Sequence, residues 1–146
     1  MKNLDKIPGL QLVKRGNSGI EKFELGKDAF PFRGYFIAII PSEGPISIDS
    51  PKEQREKLHK PDYVFSGHKI TSHPILKKIF QKRHKDCLEE GNRFIITNGG
   101  ELEITEDKIR FYGKSSTFGK YEPSSISQIV ERFVDRNLPD HEIIYE

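Results

Sequence analysis

Hydrophobic positions along the chain follow three patterns. Residues 35–40 (Tyr-Phe-Ile-Ala-Ile-Ile) are apolar throughout, as expected of a central strand covered on both faces. Residues 108–112 alternate, with Ile109 and Phe111 between Lys108, Arg110 and Tyr112, which predicts a strand with one buried face. Ile126, Ile129, Val130, Phe133 and Val134 recur at helical spacing and predict an amphipathic helix. A capping box at Ser125-Ile126-Ser127-Gln128 would open that helix, and Leu138-Pro139-Asp140 would stop it. Another helix is expected to start at Pro74, a residue favoured at the first helical position, with His73 at or beside the N-cap. Its apolar stripe runs through Ile75, Leu76, Ile79 and Phe80 towards Cys87 and Leu88, and Gly91 or Asn92 ends it. Lys77, Lys78, Lys82, Arg83 and Lys85 fall mostly on its other side.

Shorter strands are predicted at 10–13, 20–25, 63–65 and 142–145. Residues 94–97 and 102–104 flank Asn98-Gly99-Gly100, a hairpin signal, so 94–112 reads as a three-stranded meander. Residues 41–61 carry Pro41, Pro45, Pro51 and Pro61 and a mixed-sign charge cluster, a long surface loop or insertion. The expected architecture is α/β: a single mixed β-sheet of about six strands covered by two main helices. Residues 1–146 form one domain in this reading.

Composition narrows the function. The chain is 34% hydrophobic and 32% charged with a formal net charge of +2, which suits a soluble protein and argues against nucleic acid as a bulk partner. No apolar run approaches the roughly 20 residues of a membrane span, and the first residues hold no apolar signal core. The single cysteine, Cys87, fits a reducing compartment, and the expectation is a cytoplasmic monomer. No metal-binding or nucleotide-binding spacing occurs, so neither a cofactor nor a metal is expected. Cys87 lies on an apolar stripe and reads as an inert buried thiol, while Glu101, Glu103, Glu106 and Asp107 read as solvated.

Two features carry candidate chemistry. After the 108–112 strand comes Gly113-Lys114-Ser115-Ser116-Thr117-Phe118-Gly119. A small-residue loop at the end of a strand can aim several backbone N–H groups at one point and bind an oxyanion; the plain alternative is an ordinary surface turn. His68 and His73 precede a long helix. The positive end of a helix dipole favours the neutral imidazole that a general base requires, although a histidine there also serves as a simple cap or surface residue.

With these residues in view, the chain resembles the phosphohistidine phosphatases (the Janus/Ocnus family). The likeness runs from the glycine pair Gly99-Gly100 through Tyr112-Gly113, the x-Ser-x-x-aromatic-Gly of 114–119, an amphipathic helix and Leu138-Pro139-Asp140 to a final strand. It covers 93–145, extends more loosely to the first half through Ile7-Pro8 and 35–40, and leaves out 41–61. The resemblance implies a cofactor-free phosphatase acting on phosphohistidine in proteins. The implied general base is His73, with His68 as the alternative; Ser115, Ser116, Thr117 and Arg33 would hold the phosphoryl group. Two basic positions of the family are absent, one near Phe65 or Ser66 and one near Glu122 or Pro123. A binding module of the same fold with weakened turnover, taking phosphate or an acidic peptide, is therefore the second expectation.

Overall fold

The computed structural model describes residues 9–25, 30–43, 61–86 and 92–146. Seven strands, β1 (Leu10–Gly16), β2 (Gly19–Lys22), β3 (Phe32–Glu43), β4 (Tyr63–Gly67), β5 (Asn92–Ile104), β6 (Lys108–Tyr112) and β7 (Glu142–Tyr145), form one sheet ordered β2-β1-β4-β3-β5-β6-β7. The sheet is mixed: β1–β4 and β6–β7 are parallel and the remaining pairs antiparallel. Two helices, α1 (His73–Arg83) and α2 (Pro123–Asn137), complete the described elements. The class is α+β rather than a regular α/β alternation. Among the described residues no helix is long and apolar enough to cross a membrane.

The helices lie over opposite faces of the sheet, each with its own core. Ile126, Val130 and Val134 of α2 join Phe32, Phe36, Ala38, Leu102, Ile109 and Phe111. Leu76 and Phe80 of α1 join Val13, Ile37, Ile39 and Phe65. Apolar residues thus point both ways from β3, which lies between β4 and β5 at the centre of the sheet. Alternation along β3 places Arg33 and Tyr35 with Ile37 and Ile39 on the α1 face.

Four expectations are corrected. Asn98-Gly99-Gly100 is no hairpin: β5 runs unbroken from Asn92 to Ile104, paired with β3 along its whole length. A type I′ turn needs φ above zero, and Gly99 and Gly100 do not have it; among the described residues the positive-φ glycines are Gly19, Gly113 and Gly119. A register shift between Ala38 and Ile39 leaves Thr97 as an extra residue in β5. The bulge switches parity, so that Phe94 and Ile96 before it and Gly99 after it all face α1. The capping box also fails. The N-cap of α2 is Glu122, without a side-chain hydrogen bond, and the Ser125 hydroxyl donates back to the Glu122 carbonyl at 2.6 Å. Thirdly, the chain does not leave the sheet at Pro41: β3 continues to Glu43. Pairing with β4 ends at Ile39, so the missing N–H of Pro41 interrupts only one possible ladder. The rest of the expected loop, 44–60, lies outside the described residues, as do Cys87 and Leu88. The single helix expected to run on to them is itself cut short: α1 ends at Arg83, where the non-helical backbone of His84 forms the C-cap and its N–H donates to the Phe80 carbonyl.

Between β4 and α1 the chain is stitched to the start of β3. Lys69 N–H donates to the Arg33 carbonyl at 2.6 Å, and Tyr35 N–H donates to the Ile70 carbonyl at 3.0 Å. This close passage explains Gly34, because a Cβ there would collide with the Gly67 carbonyl oxygen. Gly34→Ala should therefore lose about 3 kcal/mol in urea denaturation, the upper end of overpacking costs. A loss below about 0.5 kcal/mol would show that the passage can widen freely.

Candidate functional site

α1 begins at Ser72, whose backbone is extended and whose side chain accepts from the Ile75 N–H at 3.3 Å. His73, expected at or beside the N-cap, is the first helical residue, and Pro74 follows within the first turn. Ser72 satisfies Ile75 and Pro74 has no N–H, so little is left at this helix end to bind an anion.

The His73 side chain is buried and turned onto the sheet. Its ring packs over Gly99, where an added Cβ would lie 2.9 Å from Cδ2 and 3.2 Å from Nε2. Nε2 stands 3.0 Å from the Gly100 carbonyl oxygen. A carbonyl only accepts, so in the neutral ring Nε2 carries the hydrogen and Nδ1 keeps the lone pair. Tyr35 stacks on the imidazole, centroids 4.5 Å apart. Burial pushes the His73 pKa below its ordinary value of 6.5, opposed by the Gly100 hydrogen bond and the Glu101 charge. The imidazole is neutral at physiological pH, as a general base must be.

The other candidate histidine is placed differently. His68 Nδ1 accepts the Arg33 N–H at 3.3 Å, so its lone pair is occupied. Its ring lies 5.3 Å from Phe23 and 5.5 Å from Phe32, both members of the α2-side core. Position along the chain did not separate the two histidines; the sheet faces do.

The 113–119 loop meets the same patch of β5 as His73. At its exit, Gly99 N–H donates to the Gly119 carbonyl at 3.1 Å. At its entrance, a Cβ on Gly113 would come within 2.6 Å of Glu101 Oε2. Phe118 packs into the α1-side core. Gly113 and Gly119 adopt φ of +70° and +93°, which explains glycine at both ends. The loop's exit is thus joined to the backbone beneath His73 through Gly99, and its entrance lies beside the Glu101 carboxylate.

Within the loop the serines divide their roles. Ser115 is buried, and its hydroxyl oxygen accepts the N–H of Thr117 at 3.2 Å and of Phe118 at 3.0 Å. It shapes the bend and takes up two amides that an anion could have used. Ser116 and Thr117 are exposed, and among the described residues nothing accepts from the Ser116 N–H. Arg33 shares the His73 face, but its Nε is 2.9 Å from Glu103 Oε2, directly across the strand pair, and its side chain is 62% exposed. Arg110, on the other side of Glu103, reaches it at 3.4 Å.

Sequence reasoning missed Tyr35, the Gly100 carbonyl and Glu101. Glu101 was expected on a solvated hairpin; it is half-buried, opposite Tyr35 and Tyr112 in register, and its charge is felt by His73. No cluster of His, Cys, Asp or Glu among the described residues could hold a metal ion. No protein-family model and no curated protein matches the chain.

Burial also lowers the pKa of His68 and His84. Below pH 6.5 the unfolded chain therefore binds protons that the folded chain refuses, and stability falls as the pH drops through that window. The urea midpoint should be lower at pH 5.5 than at pH 7.5; equal midpoints would contradict neutral buried imidazoles.

Proposed function

We propose that the chain is a cofactor-independent hydrolase of phosphoramidates, acting on phosphohistidine in proteins, with a fold of the phosphohistidine-phosphatase kind. The observation that carries the reading is the neutral His73 imidazole, fixed through Nε2 to the Gly100 carbonyl and packed over Gly99, whose N–H holds the end of the 113–119 loop. In this mechanism Nδ1 takes a proton from water as the water oxygen bonds to phosphorus. The P–N bond breaks, and its electron pair goes to the substrate nitrogen. The Ser116 N–H and the Ser116 and Thr117 hydroxyls face the phosphoryl oxygens, with Ser115 holding the bend and Arg33 and Lys114 supplying charge.

Glu101 supports a phosphoramidate over a phosphate ester. A P–N bond breaks readily when the nitrogen base is protonated, because the bond's electron pair then leaves on a neutral base, and a carboxylate beside the loop entrance favours that protonated substrate. An ester leaves as an oxyanion and would gain nothing from the same carboxylate.

One observation favours the second reading, a binding module with weak turnover. The Thr117 amide and the Arg33 guanidinium already have partners inside the protein. Phosphate binding without hydrolysis would select it.

His73→Ala should slow phosphate release from phosphohistidine peptides by about 10²–10⁴-fold, the range of a lost general base, while His68→Ala should retain most of the rate. An unchanged rate in His73→Ala removes His73 from the chemistry. Glu101→Gln should slow the same reaction yet tighten binding of inorganic phosphate, because a repulsive charge is gone. A variant that gains or loses both together would argue against the leaving-group role.

A further inference from the structure

From His73 to Arg83, α1 carries Lys77, Lys78, Lys82 and Arg83 and no acidic residue, although the chain has 24 basic and 22 acidic residues. This segregation is not inherited from composition. Basic residues in a last helical turn are favoured by the helix dipole, which accounts for Lys82 and Arg83. It does not account for Lys77 and Lys78 in the first half, and Lys78 and Lys82 repel each other at i, i+4. Arg83 has a structural partner, donating to the Ile20 carbonyl at 3.1 Å. Lys77, Lys78 and Lys82 are exposed. Among the described residues none of the three is ion-paired; the pairs there join Arg33, Arg110, Glu103 and Glu146.

Ile75, Lys78 and Lys82 stand at i, i+3 and i+7, a single stripe along the outer side of α1. Ile75 is 41% exposed and is the exposed large hydrophobic residue among those described. The stripe starts on the same helical turn as His73 and leads away from it.

We propose that this stripe docks an acidic segment of a protein partner, with an apolar side chain of that segment against Ile75 and its carboxylates along Lys78 and Lys82, Lys77 adding to the positive field from beside the stripe. Charge complementarity selects the occupant. A single-stranded nucleic acid is also anionic, but such binding relies on exposed aromatic platforms, and the exposed positions of α1 carry none. The link to His73 rests on the function proposed above; the docking surface itself does not. The rise from His73 to Lys82 is about 13 Å, which an extended peptide covers in about four residues. Acidic side chains within about four positions of the phosphorylated residue therefore match the stripe.

The test compares the full chain with Lys77→Gln/Lys78→Gln/Lys82→Gln, since glutamine is close to lysine in helix propensity. Fluorescence anisotropy would follow a labelled Asp/Glu-rich peptide containing one leucine, the same peptide with lysines for the acids, and oligouridylate. Hydrolysis of a small phosphoramidate is read in parallel. The acidic peptide should bind, more weakly as salt rises, and should lose about tenfold or more in affinity in the triple variant. The lysine peptide should not bind, and the small-molecule rate should be the same in both proteins. Equal affinity of the two proteins for the acidic peptide, or tighter binding of oligouridylate, would overturn the proposal. Peptide binding without any phosphoramidate turnover would overturn the hydrolase reading and leave the docking surface standing.

Discussion

Everything at the candidate site depends on a stretch of backbone with no side chains above it. Gly99 lets the His73 ring descend onto β5 until Nε2 reaches the carbonyl of the next residue, Gly100. The Gly99 N–H, pointing sideways along the sheet, reaches the Gly119 carbonyl at the end of the loop. The opposite face is equally crowded: a Cβ on Gly100 would meet the Tyr112 carbonyl and the Phe36 ring. Two adjacent positions without side chains thus bring together a helix start, a central strand and a loop that are far apart in the chain.

The bulge at Thr97 makes this possible. Strand residues alternate strictly between faces, and without an extra residue Phe94 and Ile96 could not share the α1 face with Gly99 and Glu101. The Thr97 hydroxyl donates to the Ala38 carbonyl at 3.3 Å and tethers the irregularity. Asn98 lies beside it, with Nδ2 donating to Thr97 Oγ1 and Oδ1 buried without a partner. The unpaired Oδ1 is a cost carried by the bulged register that presents Gly99 to His73. On the far side, the Tyr121 hydroxyl lies 2.7 Å from the Phe111 and Glu146 carbonyl oxygens, securing β6 and the C-terminal end just after the loop.

Much of the architecture could be read from periodicity. The two-faced strand at 35–40, the alternating 108–112, the final strand and the apolar face of the second helix appear where their spacing placed them. In the first helix Leu76, Ile79 and Phe80 do so too, whereas Ile75, expected on the same apolar stripe, is exposed because His73 and Leu76 turn the helix's inner face away from it. Asn98-Gly99-Gly100 misled because glycine required for close approach looks in sequence like glycine required for positive φ. Ser125 misled because its hydroxyl bonds backwards to a carbonyl instead of forwards to an amide. The histidine at the helix start was legible from Pro74, but its partners were not. Tyr35 and Glu101 become neighbours only through the β3–β5 register, a pairing between residues 66 positions apart that no local pattern encodes.

The central claim is that His73 and the 113–119 loop form one anion pocket. Its most direct test is a titration of the ¹⁵N-labelled protein with inorganic phosphate at pH 7.5. The account predicts that the His73 ring nitrogens and the Ser116 amide shift together along one binding curve, with Nε2 protonated at the start. Phosphate that shifts the loop but leaves the imidazole unmoved, or that shifts neither, would contradict it.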